Sequence, residues 1–171
     1  MKIDCYKKVG EGRYRESFGP YYEDFNVQDI IEHRPGRTIT DSDNIWFTLL
    51  TMNTLQLHFD YEYAAHTEWK KPLVNSTLTL AIVTGMSVHS TSQRAVANLG
   101  WDQVRLSHPL FVGDTLYAET EILSKRESES RPDQGIVTVK TRGLNQDQVE
   151  VIAFERTFLV YKRGKSPDRS Y

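Results

Sequence analysis

Two periodicities divide the chain. In the first half, Ile45, Trp46, Leu49 and Leu50 recur at helical spacing behind Thr40 and Asp43, a pair with the form of a capping box. This pattern predicts a helix of about three turns that starts at Thr40 and runs out near Asn53. The following segment, Thr54 to Asp60, carries His58 between the apolar Leu57 and Phe59. Asn75 and Ser76 then offer an N-cap for a second helix over Thr77 to Ser90. Its Leu78, Leu80, Ala81, Ile82, Val83 and Met86 leave little polar face, so it is expected to be buried nearly all round. Gly85 in its middle costs about 1 kcal/mol relative to Ala, which suggests another backbone in close contact there.

Ahead of these helices Val27, Ile30 and Ile31 form a short extended run that meets the turn pair Pro35 and Gly36, a hairpin or a bent strand. After them the period changes to two. Val104 and Leu106 alternate, then Leu116 to Ile122, then Ile136 to Thr141, then Val149 to Val160. Turn residues separate these runs at Gly113-Asp114, Pro132 to Gly135, and Asn145 to Asp147. An antiparallel meander follows, and the fold class is α+β, with the sheet curling round the apolar helix.

Composition narrows the function classes. The 171 residues form one core, with an expected N-terminal arm at 1–20, a domain at 21–162 and a polar tail at 163–171. Lys plus Arg number 21 against 23 Asp plus Glu, and no basic stripe exists to neutralise phosphates, so nucleic acid is not expected as a partner. Lys162, Arg163 and Lys165 read as a solvated tail. A single cysteine, Cys5, has no partner for a disulfide. Neither a secretory signal nor a membrane span is visible, and the expected setting is cytoplasmic, away from membranes. His33, His66, His89 and His108 lack metal-ligand spacing, so no metal is expected and packing or surface roles are assigned to them.

Four strings in order carry a resemblance. They are MNTLQLH at 52–58, YAA at 63–65, VNSTLTL at 74–80 and PLFVGDTL at 109–116. Over roughly 21–162 the chain resembles the MaoC, or R-specific enoyl-CoA hydratase, family, whose signature is GDxNPxH, a helix opening with HG, and PxxxGDxL. Here Asn53 stands at the family's catalytic Asp, Leu55 and Gln56 replace Asn and Pro, and Asn75-Ser76 replaces His-Gly. With ANLG at 97–100, GDTLYAETE at 113–121 and SRPDQG at 130–135, the chain is most similar to the mesaconyl-CoA hydratase, or β-methylmalyl-CoA dehydratase, subgroup.

The resemblance implies a hotdog fold, a homodimer or higher oligomer with sites at the subunit interface, and a hydro-lyase acting on a short enoyl-CoA. Coenzyme A would be part of the substrate, with no separate cofactor. His58 matches the family's acid-base histidine, and an imidazole exchanges protons near neutrality. Asn53 can orient water but cannot take its proton. The backbone N–H at Ser76, with Asn75 beside it, would meet the thioester oxygen at a helix N-terminus. Thr84 matches a supporting helix hydroxyl. Arg94 and Arg105 are candidates for contacts with coenzyme A phosphates or a substrate carboxylate. Two rivals stay open: a hotdog thioesterase, and an acyl-CoA binding protein that lost catalysis when Asp became Asn.

Overall fold

The computed structural model describes residues 6–167; Cys5 lies outside the described residues. An exposed hairpin, β1 (Tyr6–Gly10) and β2 (Arg13–Glu16), leads into β3 (Ile30–Thr38). Helices α1 (Asp41–Leu50), α2 (Tyr61–Ala65) and α3 (Ser76–Val88) follow. Four strands complete the chain: β4 (Ala95–Leu106), β5 (Thr115–Glu127), β6 (Gln134–Leu144) and β7 (Glu150–Tyr161).

The five long strands form one antiparallel sheet in the order β3-β5-β6-β7-β4, with α3 packed across it, the hotdog arrangement. β5, β6 and β7 are the expected meander. The run with Pro35 and Gly36 is a single bent strand, β3, whose pairing with β5 shifts between His33 and Arg37. β4 begins at Ala95, well before the alternation at Val104 marks it, because its exposed and irregular first half hides the period.

Alternate residues of β5 to β7 supply the core: Leu116, Ile122, Val137, Ile152, Phe154 and Phe158 are buried. Val83 of α3 sits directly over β6. A Cβ on Gly143 would lie 2.7 Å from a Val83 methyl, so the glycine is what lets the helix seat that closely. The expectation that α3 is enclosed nearly all round needs correction. The sheet covers Leu78, Thr79, Val83 and Ser87, while Ala81 and Gly85 on the far side are exposed. A Cβ on Gly85 would meet nothing within 4 Å, so no backbone outside the helix presses on it among the described residues. One sheet can cover only one side of a helix.

A buried polar stripe runs under the C-terminal end of α3. Arg156 is 3% exposed, and no carboxylate pairs with it among the described residues. Its Nη2 donates to Ser87 Oγ at 3.2 Å and to Thr91 Oγ1 at 3.1 Å. Those hydroxyls donate onward to the Thr84 and Ser87 carbonyls at 2.7 and 2.6 Å. The guanidinium thus reaches the last carbonyls of the helix through two hydroxyl bridges, where the helix dipole favours a cation. Next to it, buried His33 holds Ser90 Oγ and Thr120 Oγ1, each at 2.7 Å.

Burial, then the Arg156 charge, pushes the His33 pKa down from 6.5 to about 4. Between those values the unfolded chain binds a proton that the folded chain refuses, so stability is lost as pH falls through that window. The loss amounts to about 3 kcal/mol. Urea denaturation of the wild type and of His33→Gln, followed from neutral pH to about pH 4, should show the steeper decline in the wild type. Parallel curves would rule out the buried neutral imidazole.

Candidate active site

The site is assembled by α1, and by its polar rather than its apolar side. Trp46, Leu49 and Leu50 are exposed, whereas Asn44 and Thr48, one turn apart, are buried. Asn44 Nδ2 donates to the His58 carbonyl at 2.8 Å and to the Leu73 carbonyl at 3.1 Å. Its Oδ1 accepts the Asn75 N–H at 2.8 Å. One amide therefore ties together the His58 turn, the strand-like segment at 73–74 and the start of α3.

Asn75 continues the network. Its Nδ2 donates to Thr48 Oγ1 at 3.1 Å, and its Oδ1 accepts from the Thr77 N–H at 3.0 Å, which caps α3 as its residue type suggested. Asn75 is 1% exposed and spends both ends of its amide on the scaffold, so it holds the site and does not line it. Ser76, the first residue of α3, is exposed at the helix mouth, and its backbone N–H has no acceptor within the helix.

His58 ends a short 3-10 turn, Gln56–His58, and is 7% exposed. Its Nδ1 lies 2.8 Å from the Leu73 carbonyl oxygen. A carbonyl only accepts, so Nδ1 carries the proton and Nε2 is left as a bare acceptor, with no hydrogen-bond partner among the described residues. Asn53 closes the preceding turn, its Oδ1 accepting the Leu55 N–H at 2.9 Å, which leaves Nδ2 as the end of its amide open to other groups.

A cleft of about 320 Å³ opens beside the helix mouth, lined by Leu73, Val74, Ser76, Leu106, His108 and other residues, most of them apolar. Leu73 forms an antiparallel bridge with Phe111, and the Val74 N–H donates to the Leu110 carbonyl at 2.9 Å. His58 is joined to this wall through the Leu73 carbonyl.

The remaining sequence candidates lie elsewhere. Thr84 is two turns further along α3, its Oγ1 buried without a partner. Arg94 stands beyond the C-terminal end of α3, about 20 Å of helix from Ser76. Its Nε donates to the Gly19 carbonyl and its Nη2 to Ser17 Oγ, both at 3.1 Å, so it clasps the N-terminal arm. Arg105 is exposed on β4 and is not part of the cleft lining. Asn44 and Thr48 were the residues sequence reasoning missed. Their one signal was a polar pair at helical i, i+4 spacing beside the apolar stripe. Among the described residues no three His, Cys, Asp or Glu side chains cluster closely enough to share a metal ion, and no helix is long and apolar enough to cross a membrane.

The fold and the sequence have known counterparts. A Mycobacterium tuberculosis protein described as a double hotdog fold superposes with a TM-score of 0.78 at 26% identity, covering 90% of this chain and 46% of that one. The chain belongs to the mesaconyl-CoA hydratase family, whose model matches residues 4–168. A mesaconyl-CoA hydratase from Cereibacter sphaeroides is 32% identical over 145 residues, 85% of this chain and 42% of the relative. A β-methylmalyl-CoA dehydratase from Chloroflexus aurantiacus is 30% identical over 145 residues, 85% of this chain and 41% of the relative. The chain thus spans less than half the length of these two curated relatives.

Removing the Asn44 amide leaves the His58 carbonyl and the Asn75 N–H unpaired in the interior. Asn44→Ala should cost about 2–6 kcal/mol in urea denaturation, at 1–3 kcal/mol for each buried group left without a partner. A loss below about 0.5 kcal/mol, the range of ordinary surface changes, would show that the clamp does not hold these segments.

Proposed function

We propose that the chain catalyses the reversible addition of water to a short enoyl-coenzyme A thioester, and that its acyl group is branched and dicarboxylic, as in mesaconyl-CoA. The observation that carries this reading is the His58 imidazole, with Nδ1 committed to a carbonyl, Nε2 bare, and the link through Leu73 to the mouth of α3. Both relatives described above act on such thioesters by name, one in each direction of the same reaction.

In the hydration direction, His58 Nε2 takes a proton from water as the water oxygen bonds to the β-carbon. The electron pair of the double bond moves toward the thioester oxygen, and the Ser76 N–H together with the N-terminal end of α3 favours that negative charge. The proton on Nε2 then passes to the α-carbon, which regenerates neutral imidazole and re-forms the carbonyl. Throughout, the Nδ1–H bond to Leu73 keeps the ring in the tautomer that the cycle needs. Asn53 does not ionise, and its Nδ2 can donate to the water and hold it for attack. Water and the imidazole supply everything the step requires, so no cofactor beyond the coenzyme A of the substrate enters.

The working unit in this reading is at least a dimer. Relatives of the family carry twice this length, β4 pairs only with β7 and leaves an open edge among the described residues, and Leu99, Trp101 and Leu106 on it are exposed. A second copy supplies the missing half. Light scattering should return at least twice the mass of one chain, and a monomer would overturn this assembly.

The function is tested by incubating the protein with crotonyl-, mesaconyl- and itaconyl-CoA while following the conjugated thioester absorbance and free thiol. Loss of absorbance without thiol is expected; thiol release would mark a thioesterase, and binding without change an acyl-CoA binding protein. His58→Ala should keep thioester binding and lower turnover by roughly two to four orders of magnitude, the usual worth of a general acid-base group. Retention of a tenth of the activity would take His58 out of the mechanism. If wild type is inactive on every enoyl-CoA while Asn53→Asp is active, the binding-protein reading replaces this one.

A further inference from the structure

Some polar groups of the cleft lining are spent on the scaffold and others are not. Ser107 Oγ donates to the Glu150 carbonyl at 2.6 Å and Thr79 Oγ1 to the Asn75 carbonyl at 3.3 Å, so both hydroxyls are turned back on the backbone. Ser76 offers its free N–H at the helix mouth. His108 is the one ionisable side chain in the lining among the described residues. Its Nδ1 lies 2.9 Å from the Glu150 carbonyl oxygen, which makes Nδ1 the donor there and leaves Nε2 without a partner among the described residues.

The pairing ahead of α3 holds together the two segments that carry these groups. Leu73 bridges Phe111 and the Val74 N–H donates to the Leu110 carbonyl, with the two segments antiparallel. This pairing ends where α3 begins, and Ser76, the first residue of that helix, lines the same cleft as His108. Leu106, Leu110 and Val151 fill the cleft around them with apolar surface, where an ion pair is stronger than in water.

We propose that His108 binds the free carboxylate of a dicarboxylic acyl group while its thioester oxygen rests at the Ser76 N–H, which makes His108 the residue that selects such substrates over uncharged ones. This rests on the hydratase reading of the same cleft and adds the group that recognises the second acid. Because Nδ1 is already a donor, Nε2 meets the carboxylate as an imidazolium N–H, and the carboxylate supplies the counter-charge. His108 touches neither the water nor the carbons that react.

The test compares wild type, His108→Leu and His108→Arg on mesaconyl-CoA and crotonyl-CoA. His108→Leu should raise KM for mesaconyl-CoA at least about tenfold, a change of about 1.4 kcal/mol, while KM for crotonyl-CoA stays within about twofold. His108→Arg, which keeps a cation, should restore most of the mesaconyl-CoA affinity. Equal effects on both substrates, or none on mesaconyl-CoA, would overturn the assignment. Calorimetric binding of methylsuccinyl-CoA and butyryl-CoA, which cannot be hydrated, reads the same contrast without turnover. A wild type that prefers methylsuccinyl-CoA and loses the preference in His108→Leu, yet hydrates nothing, would sink the hydratase reading and keep the carboxylate site. A wild type that hydrates crotonyl-CoA and shows no preference for either carboxylated thioester would sink the His108 assignment alone.

Discussion

One buried amide, that of Asn44, carries more of this site than any residue that faces the cleft. It reaches His58, Leu73 and Asn75, which lie up to 31 residues from it in sequence, and satisfies a backbone group of each. The His58 ring then needs only the Leu73 carbonyl to fix its tautomer, and the same carbonyl is held in place by Asn44. A site on loops acquires the precision of a helix in this way: α1 supplies the rigid element, and backbone hydrogen bonds transfer its position to the turn that carries the imidazole. The exposed apolar face of α1 is consistent with this division, since the side that would ordinarily bury leucines is used for polar connections.

At the other end of α3, Arg156 completes the electrostatics of the same helix. A buried guanidinium without a carboxylate is costly unless something offsets its charge. The hydroxyl bridges to the last carbonyls, and the negative end of the helix dipole, provide the offset. α3 therefore has a cation buried at its C-terminal end and an open N-terminal mouth at Ser76, a polarity suited to an oxygen that gains negative charge. Gly143 lets the helix lie close to the sheet while both ends are set.

Much of this fold was legible because periodicity is a one-dimensional trace of burial. The capping box at Thr40, the N-cap at Asn75 and the alternation of β5 to β7 all appear in the sequence and in the structure. His58 and Ser76 are candidates through the spacing of the family strings alone. Asn44 and Thr48 were not, since polar residues on a helix read as a solvated face and nothing local says that three backbone segments will converge on them. Arg94 misled for a related reason: its charge was visible and its partners, Ser17 and Gly19, lie more than seventy residues away. The burial of α3 was overread because an apolar helix does not announce which of its sides the chain's own sheet will cover.

In the proposed mechanism a single imidazole takes the proton from water and returns it to carbon, with Asn53 unable to share the transfer. A lone carrier on one side of the double bond must deliver oxygen and proton to the same face. Hydration in deuterium oxide, followed by NMR assignment of the relative configuration at the two new centres, reads this directly. Oxygen and deuterium on one face is the expected result; addition to opposite faces would require a second acid across the substrate and would contradict the role given to His58.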